Sequence, residues 1–173
     1  MDRKDYLETK FGGKDGALRA YAPVLERAEA AGLKIDFAAI PRTPSTLDAH
    51  RLIHWAGIEG HQLPVAMALF RAYFEEARDI GDHDVLADIA DSAGMDAAVV
   101  RKLLGSTADA DDIRKRGAQF RDMGVTGVPC FIVNGKHAVP GCQPAETWIK
   151  VIDEINAQLA ASDEASIENG ADT

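Results

Sequence analysis

Gly124-Val125-Thr126-Gly127-Val128-Pro129-Cys130-Phe131-Ile132-Val133-Asn134-Gly135-Lys136 is the stretch on which the fold turns. Cys130-Phe131-Ile132-Val133 is β-branched and aromatic, the composition of a strand. Asn134-Gly135 signals a two-residue hairpin, because a type I′ turn needs positive φ at both central positions. Lys136-His137-Ala138-Val139 then returns antiparallel, so Val133 is expected opposite Lys136 and Cys130 opposite Val139. Pro129 stands at the strand start, where a sheet tolerates a residue without an N–H. A two-stranded hairpin is marginal by itself. It needs a helix across its face or further strands, and the chain offers no strand beyond Phe131-Ile132-Val133.

Outward from the hairpin the chain reads as helix. Pro144 opens a last amphipathic helix with Trp148, Val151, Ile152, Ile155 and Leu159 on one stripe. Residues 162–173 are acidic and aperiodic, so disorder is expected there. In the other direction, a helix is expected over 108–123, with Gly124 as its stop. Asp96 caps a helix carrying Val99, Val100, Leu103 and Leu104, and Asp82 caps one carrying Val85, Leu86, Ile89 and Ala90. Pro64 is expected at the first position of a broad apolar helix with Val65, Leu69, Phe70, Tyr73 and Phe74, a core pattern. Ser45 is the expected N-cap of a helix through Leu47, Arg51, His54 and Trp55, with Gly57 and Gly60 at its end. The first periodic stripe, over 15–31, is interrupted by Pro23, which kinks it or resets a helix start.

The bulk numbers bound the function class. The 173 residues fit about one domain, and 46% hydrophobic residues suffice for a core. A formal net charge of −9 argues against nucleic acid and against an anionic membrane as partners. No apolar run approaches the roughly 20 residues of a membrane helix. Met1-Asp2-Arg3-Lys4-Asp5-Tyr6-Leu7 has no apolar signal region, so a cytoplasmic protein is expected. The two cysteines, Cys130 and Cys142, then read as free thiols. In the expected register they stand too far apart for a bridge, which needs Cα atoms within about 7 Å.

The quoted stretch resembles the cis-proline loop and following hairpin of the DsbA-like thioredoxin family. Val139-Pro140-Gly141-Cys142-Gln143-Pro144 resembles that family's lead into its last helix. Arg42-Thr43-Pro44-Ser45-Thr46-Leu47-Asp48-Ala49-His50-Arg51-Leu52 is similar to the start of its helical insert. Leu69-Phe70-Arg71-Ala72-Tyr73-Phe74, with Asp79-Ile80-Gly81-Asp82 after it, is similar to the insert's middle. The nearest group is the FrnE-like one, related to the 2-hydroxychromene-2-carboxylate isomerases and kappa-class glutathione transferases. Two departures stand out. The family's strand–Cys-x-x-C–helix–strand unit has no counterpart here, and Ser45 replaces a usual asparagine.

The resemblance implies an α+β fold: a helical insert plus the C-terminal half of a thioredoxin-like fold, namely helix, hairpin and helix. Residues 1–44 and 125–161 would form the partial thioredoxin-like part with its connecting segment, and 45–124 the insert. It also implies a thiol–disulfide oxidoreductase acting on protein or small-molecule thiols, without a cofactor, and impaired while the Cys-x-x-C unit is absent. Exchange requires a thiolate attacking a disulfide sulfur. By resemblance Pro129 is the cis proline and Val128 the residue whose backbone pairs with substrate. Cys130 would lie beside the exchanging sulfurs, and Cys142, near a helix N-terminus, is a possible second thiol. The plainer readings are a small buried hydrophobe for Cys130 and a loop thiol for Cys142.

Two other classes compete. A non-catalytic binding module would present Phe131-Ile132-Val133 for strand addition or self-association. A glutathione-dependent isomerase or transferase would need a key residue from the absent unit. His50 and His54, four apart on one face with His61 nearby, lack a completing ligand, so no metal site is expected. Trp55, Phe70, Tyr73 and Phe74 read as core, with a ligand groove as the alternative.

Overall fold

A computed structural model describes residues 2–133, 135 and 137–170, and for Lys14, His137 and 160–170 only the backbone. The element order is α1 (Arg3–Phe11), α2 (Lys14–Ala30), α3 (Leu47–Glu59), α4 (Gln62–Phe74), α5 (His83–Ser92), α6 (Ala97–Leu104), α7 (Ala110–Asp122), β1 (Cys130–Val133), β2 (His137–Pro140) and α8 (Ala145–Gly170). The chain is mostly helical with one small sheet among the described residues, an α+β fold. It divides into two compact units, Met1–Gly117 and Ala118–Thr173. Compactness thus groups residues 1–44 with the helices that follow them.

In the first unit the core lies among α3, α4, α5 and α6. Leu52, Val65, Leu86 and Val100 are its most deeply buried large side chains. They come from four different helices, each contributing one apolar stripe. Trp55, Leu69, Ile89 and Leu104 complete the packing. The short helices α5 and α6 start where the sequence places them. The Asp82 carboxylate accepts from the N–H of Asp84 and Val85, and that of Asp96 from Ala98 and Val99.

Several boundaries differ from expectation. The helix through Leu52 is preceded by Thr46 rather than Ser45, and neither side chain caps it. Gly57 lies inside α3, and the left-handed Gly60 (φ 81°) ends it. Pro64 is the third residue of α4 instead of the first. Its missing N–H is harmless there, because first-turn N–H groups have no helical acceptor. Pro23 does not break α2, which runs unbroken past it. Arg19, whose carbonyl loses that N–H, is an exposed residue. The polar helix α1 carries no periodic stripe that would announce it. The Asp2 side chain caps its N-terminus and the left-handed Gly12 closes its C-terminus.

In the second unit β1 and β2 pair antiparallel, Cys130 with Pro140, Phe131 with Val139, Ile132 with Ala138 and Val133 with His137. Three residues therefore link the strands, and the expected pairing of Val133 with Lys136 is corrected by one position. The Asn134 and Lys136 positions of the expected turn lie outside the described residues, whereas Gly135 has φ 67°. Phe131 meets the Trp148 ring edge-on at 4.8 Å, which covers one face of the hairpin with α8. The backbone of α8 continues as helix to Gly170, into the segment expected to be disordered. The reason is local: 162–169 holds no proline or glycine, and Ala and Glu favour helix without a packing face. Residues 171–173 lie outside the described residues.

Candidate functional site

The expected substrate-facing residues sit where α7 gives way to β1. Gly124 (φ 86°) turns the chain out of α7, as its position in the sequence indicates. The Val128–Pro129 peptide bond is cis. Val128 is 93% exposed, so its side chain touches little of its own unit. The Pro129 carbonyl accepts from the N–H of Gly141 at 2.8 Å, which extends the ladder one step past the strand. Gly141 has φ 78°, and the Gln143 amide donates to the Pro140 carbonyl at 2.6 Å. These contacts fix the two loops that flank the start of β1.

Both thiols belong to this corner. Cys130 is half-buried at the first position of β1, Cys142 is exposed, and neither is bridged. Cys130 lies opposite Pro140, so Cys142 is two positions beyond its partner instead of the expected three. Among the described residues β1 pairs with β2 alone, leaving its other edge open. A main chain whose N–H and C=O groups are unpaired can accept an extended peptide.

The other candidates separate. Among the described residues no group of three His, Cys, Asp or Glu side chains is placed to hold a metal. His54 Nδ1 instead lies 3.5 Å from the Arg116 guanidinium. Trp55 is core, and its indole N–H donates to Asp109 at 2.8 Å. Phe70 is not core. It is 61% exposed, because its side of α4 borders a cavity of about 380 Å³ shared with Met67, Phe74, Val24 and Leu33.

Sequence reading missed two arginines. Arg51, 2% exposed, donates to the carbonyls of Ala108, Leu103 and Ser106 at 2.7, 2.7 and 3.1 Å and to Asp48 at 2.7 Å. It satisfies the Ser106 and Ala108 carbonyls past the end of α6 and adds a donor to that of Leu103, which Ser106 also serves. Partial burial pushes the Asp48 carboxyl up, but hydrogen bonds from Arg51 and His83 outweigh it and hold the pKa below the ordinary 3.8. Arg3 is buried among Tyr21, Phe37 and Tyr73. Burial pushes the Tyr73 phenol above its ordinary value, although the Arg3 charge opposes this. The signal for Arg51 is an arginine in an otherwise apolar helical stripe; Arg3 gives none.

A hairpin whose first strand follows a proline loop and is covered by the last helix, in a chain that also carries a helical bundle, defines a thioredoxin-like class of protein. The model of the DsbA-like thioredoxin domain matches residues 20–153, and the chain belongs to that family. Among solved structures it is similar to the probable DsbA oxidoreductase of Streptomyces coelicolor. The two are 30% identical with a TM-score of 0.76, over 89% of this chain and 67% of that one. It is also 29% identical over 131 residues to the uncharacterized protein YwbO of Bacillus subtilis (strain 168), across 73% of this chain. The aligned part makes up 64% of that relative, so the chain spans less than two thirds of its length.

Proposed function

We propose that the chain is the substrate-facing part of a FrnE-like thiol–disulfide oxidoreductase, with residues 45–124 as its helical insert. The observation that carries this reading is the corner at β1: an exposed Val128-Pro129, a free Cys130 thiol and an open strand edge meet in one loop. In this reading the Val128 backbone pairs with an extended thiol or disulfide substrate, and Cys130 lies beside the exchanging sulfurs. The exchange itself needs a thiolate that attacks one sulfur of a disulfide and a thiol that leaves from the other. A Cys-x-x-C pair at a helix N-terminus supplies both, and this sequence holds none. The chain as it stands therefore turns over weakly or not at all. The two unbridged thiols suit a reducing compartment, and the cytoplasm is the reading they support.

The test is dithiothreitol-driven reduction of insulin, followed by turbidity. The 173-residue chain should stay within about twofold of the uncatalysed rate. Joined behind a strand–Cys-x-x-C–helix–strand unit, it should exceed that rate by about 100-fold, and Cys130→Ala should change the rate by about tenfold or less. Full turnover by the chain alone, or none in a folded joined protein, sinks the proposal.

The open edge of β1 favours a second reading, a binding module that adds a strand from a peptide or from a second copy. A joined protein that binds unfolded peptide but exchanges no disulfide would select it.

A further inference from the structure

Arg3, the first residue of α1, is only 7% exposed. A buried cation is ordinarily held by a carboxylate. Among the described residues none lies within 4 Å of this guanidinium. Its neighbours are aromatic. Nη1 donates to the Tyr73 hydroxyl and Nη2 to the Tyr21 hydroxyl, each at 2.8 Å. The ring centres of Tyr21, Phe37 and Tyr73 lie 5.5, 5.4 and 5.9 Å from its central carbon. Nε–H is buried and has no acceptor. Ring faces attract the cation but carry no net charge, so the site is still one negative charge short.

Of the three carboxylates that share this region, Asp2, Glu8 and Asp36, none reaches the guanidinium, and two are committed elsewhere. Asp2 accepts from the N–H groups of Lys4 and Asp5 as the cap of α1. Asp36 accepts from those of Ala38 and Ala39. Arg3 also helps to wall a cavity of about 660 Å³, whose apolar lining includes Leu7, Leu18, Leu25, Ile35 and Ile40. That volume matches a small-molecule site, commonly about 300–1,000 Å³.

We propose that this cavity binds a small monocarboxylate with an apolar body, its carboxylate neutralising Arg3. Guanidinium carries five N–H donors, of which the two phenols take two, leaving donors for a carboxylate. A phosphate dianion fits poorly, because the wall carries Asp2, Glu8 and Asp36 beside Arg3 and Lys4, and these acids oppose a second negative charge. Every residue of the site belongs to the first compact unit.

Titration calorimetry of the whole chain at neutral pH tests it, with octanoate and octanol as paired probes. Octanoate should bind one site per chain at least about tenfold more tightly than octanol. Arg3→Gln should erase that preference. Leu18→Glu, at a position 60% exposed and therefore tolerant of charge, should weaken octanoate by about fivefold or more and octanol less. This second variant decides the matter if Arg3→Gln fails to fold. The proposal is overturned if octanoate does not bind at about 10 mM, if octanol binds as well, or if the acid preference survives Leu18→Glu undiminished.

Discussion

At the residue scale Arg51 is the most consequential polar side chain. Its guanidinium holds the carbonyls of Leu103, Leu104, Ser106 and Ala108, together with Asp48, inside the first unit. Arg51→Met keeps the apolar stem but strips the Ala108 and Ser106 carbonyls of their donor, while Leu103 keeps Ser106 and Asp48 keeps His83. It should cost about 3 kcal/mol or more, read as a lower urea midpoint at unchanged slope. Asp48 adds a pH dependence of definite sign. Its folded pKa lies below its ordinary 3.8. The stability it contributes is thus complete above that value and is lost as pH falls through the lower folded one. Asp48→Asn should therefore flatten the fall in urea midpoint between about pH 5 and about pH 3. The sequence shows the residues around Val128, Pro129 and Cys130 because they are contiguous. It hides Arg51 and Arg3 because their partners are remote: Ala108 is 57 positions from Arg51, and Tyr73 is 70 from Arg3.

At the element scale local chemistry decides what is readable. Helices α5 and α6 were legible because each starts at an aspartate that accepts two main-chain N–H groups. Asp82→Ala and Asp96→Ala should each cost about 1 kcal/mol in urea unfolding. Replacement by Asn should recover most of that loss. Where the start is not made by a side chain, as at Thr46 and His61, the reading slips by one or two residues. Helix α1 was invisible because it is polar and depends on Asp2, Gly12 and the docking of Arg3. The hairpin was legible as an element, but its register was not. The link between the strands is three residues long, and strand composition alone cannot count it.

At the scale of the whole molecule, apolar surface remains uncovered in each unit taken by itself. Ile58, Leu63, Met67 and Phe70 are more than half exposed in the first, as are Val128, Ile149 and Ile152 in the second. A net charge of −9 opposes association at long range, but salt screens it beyond about 8 Å. Multi-angle light scattering should show the average mass rising with concentration, more steeply at high salt. Val128→Lys, beside the open edge of β1, should reduce the rise. A mass that stays monomeric throughout would contradict this. The patterned sequence announces the α+β class, because helical stripes and a hairpin are local signals. It is silent on which apolar residues stay outside, as with Phe70, since that depends on what each helix packs against.

The Arg51 tie has one more effect. Because segment 103–108 is fastened to a side chain on α3, it cannot fray without pulling an arginine out of a buried setting. Deuterium uptake along this segment should be slow and should keep pace with that of α3. In Arg51→Met the segment should exchange early while α3 stays protected, so one side chain sets whether this stretch breathes alone or with the core.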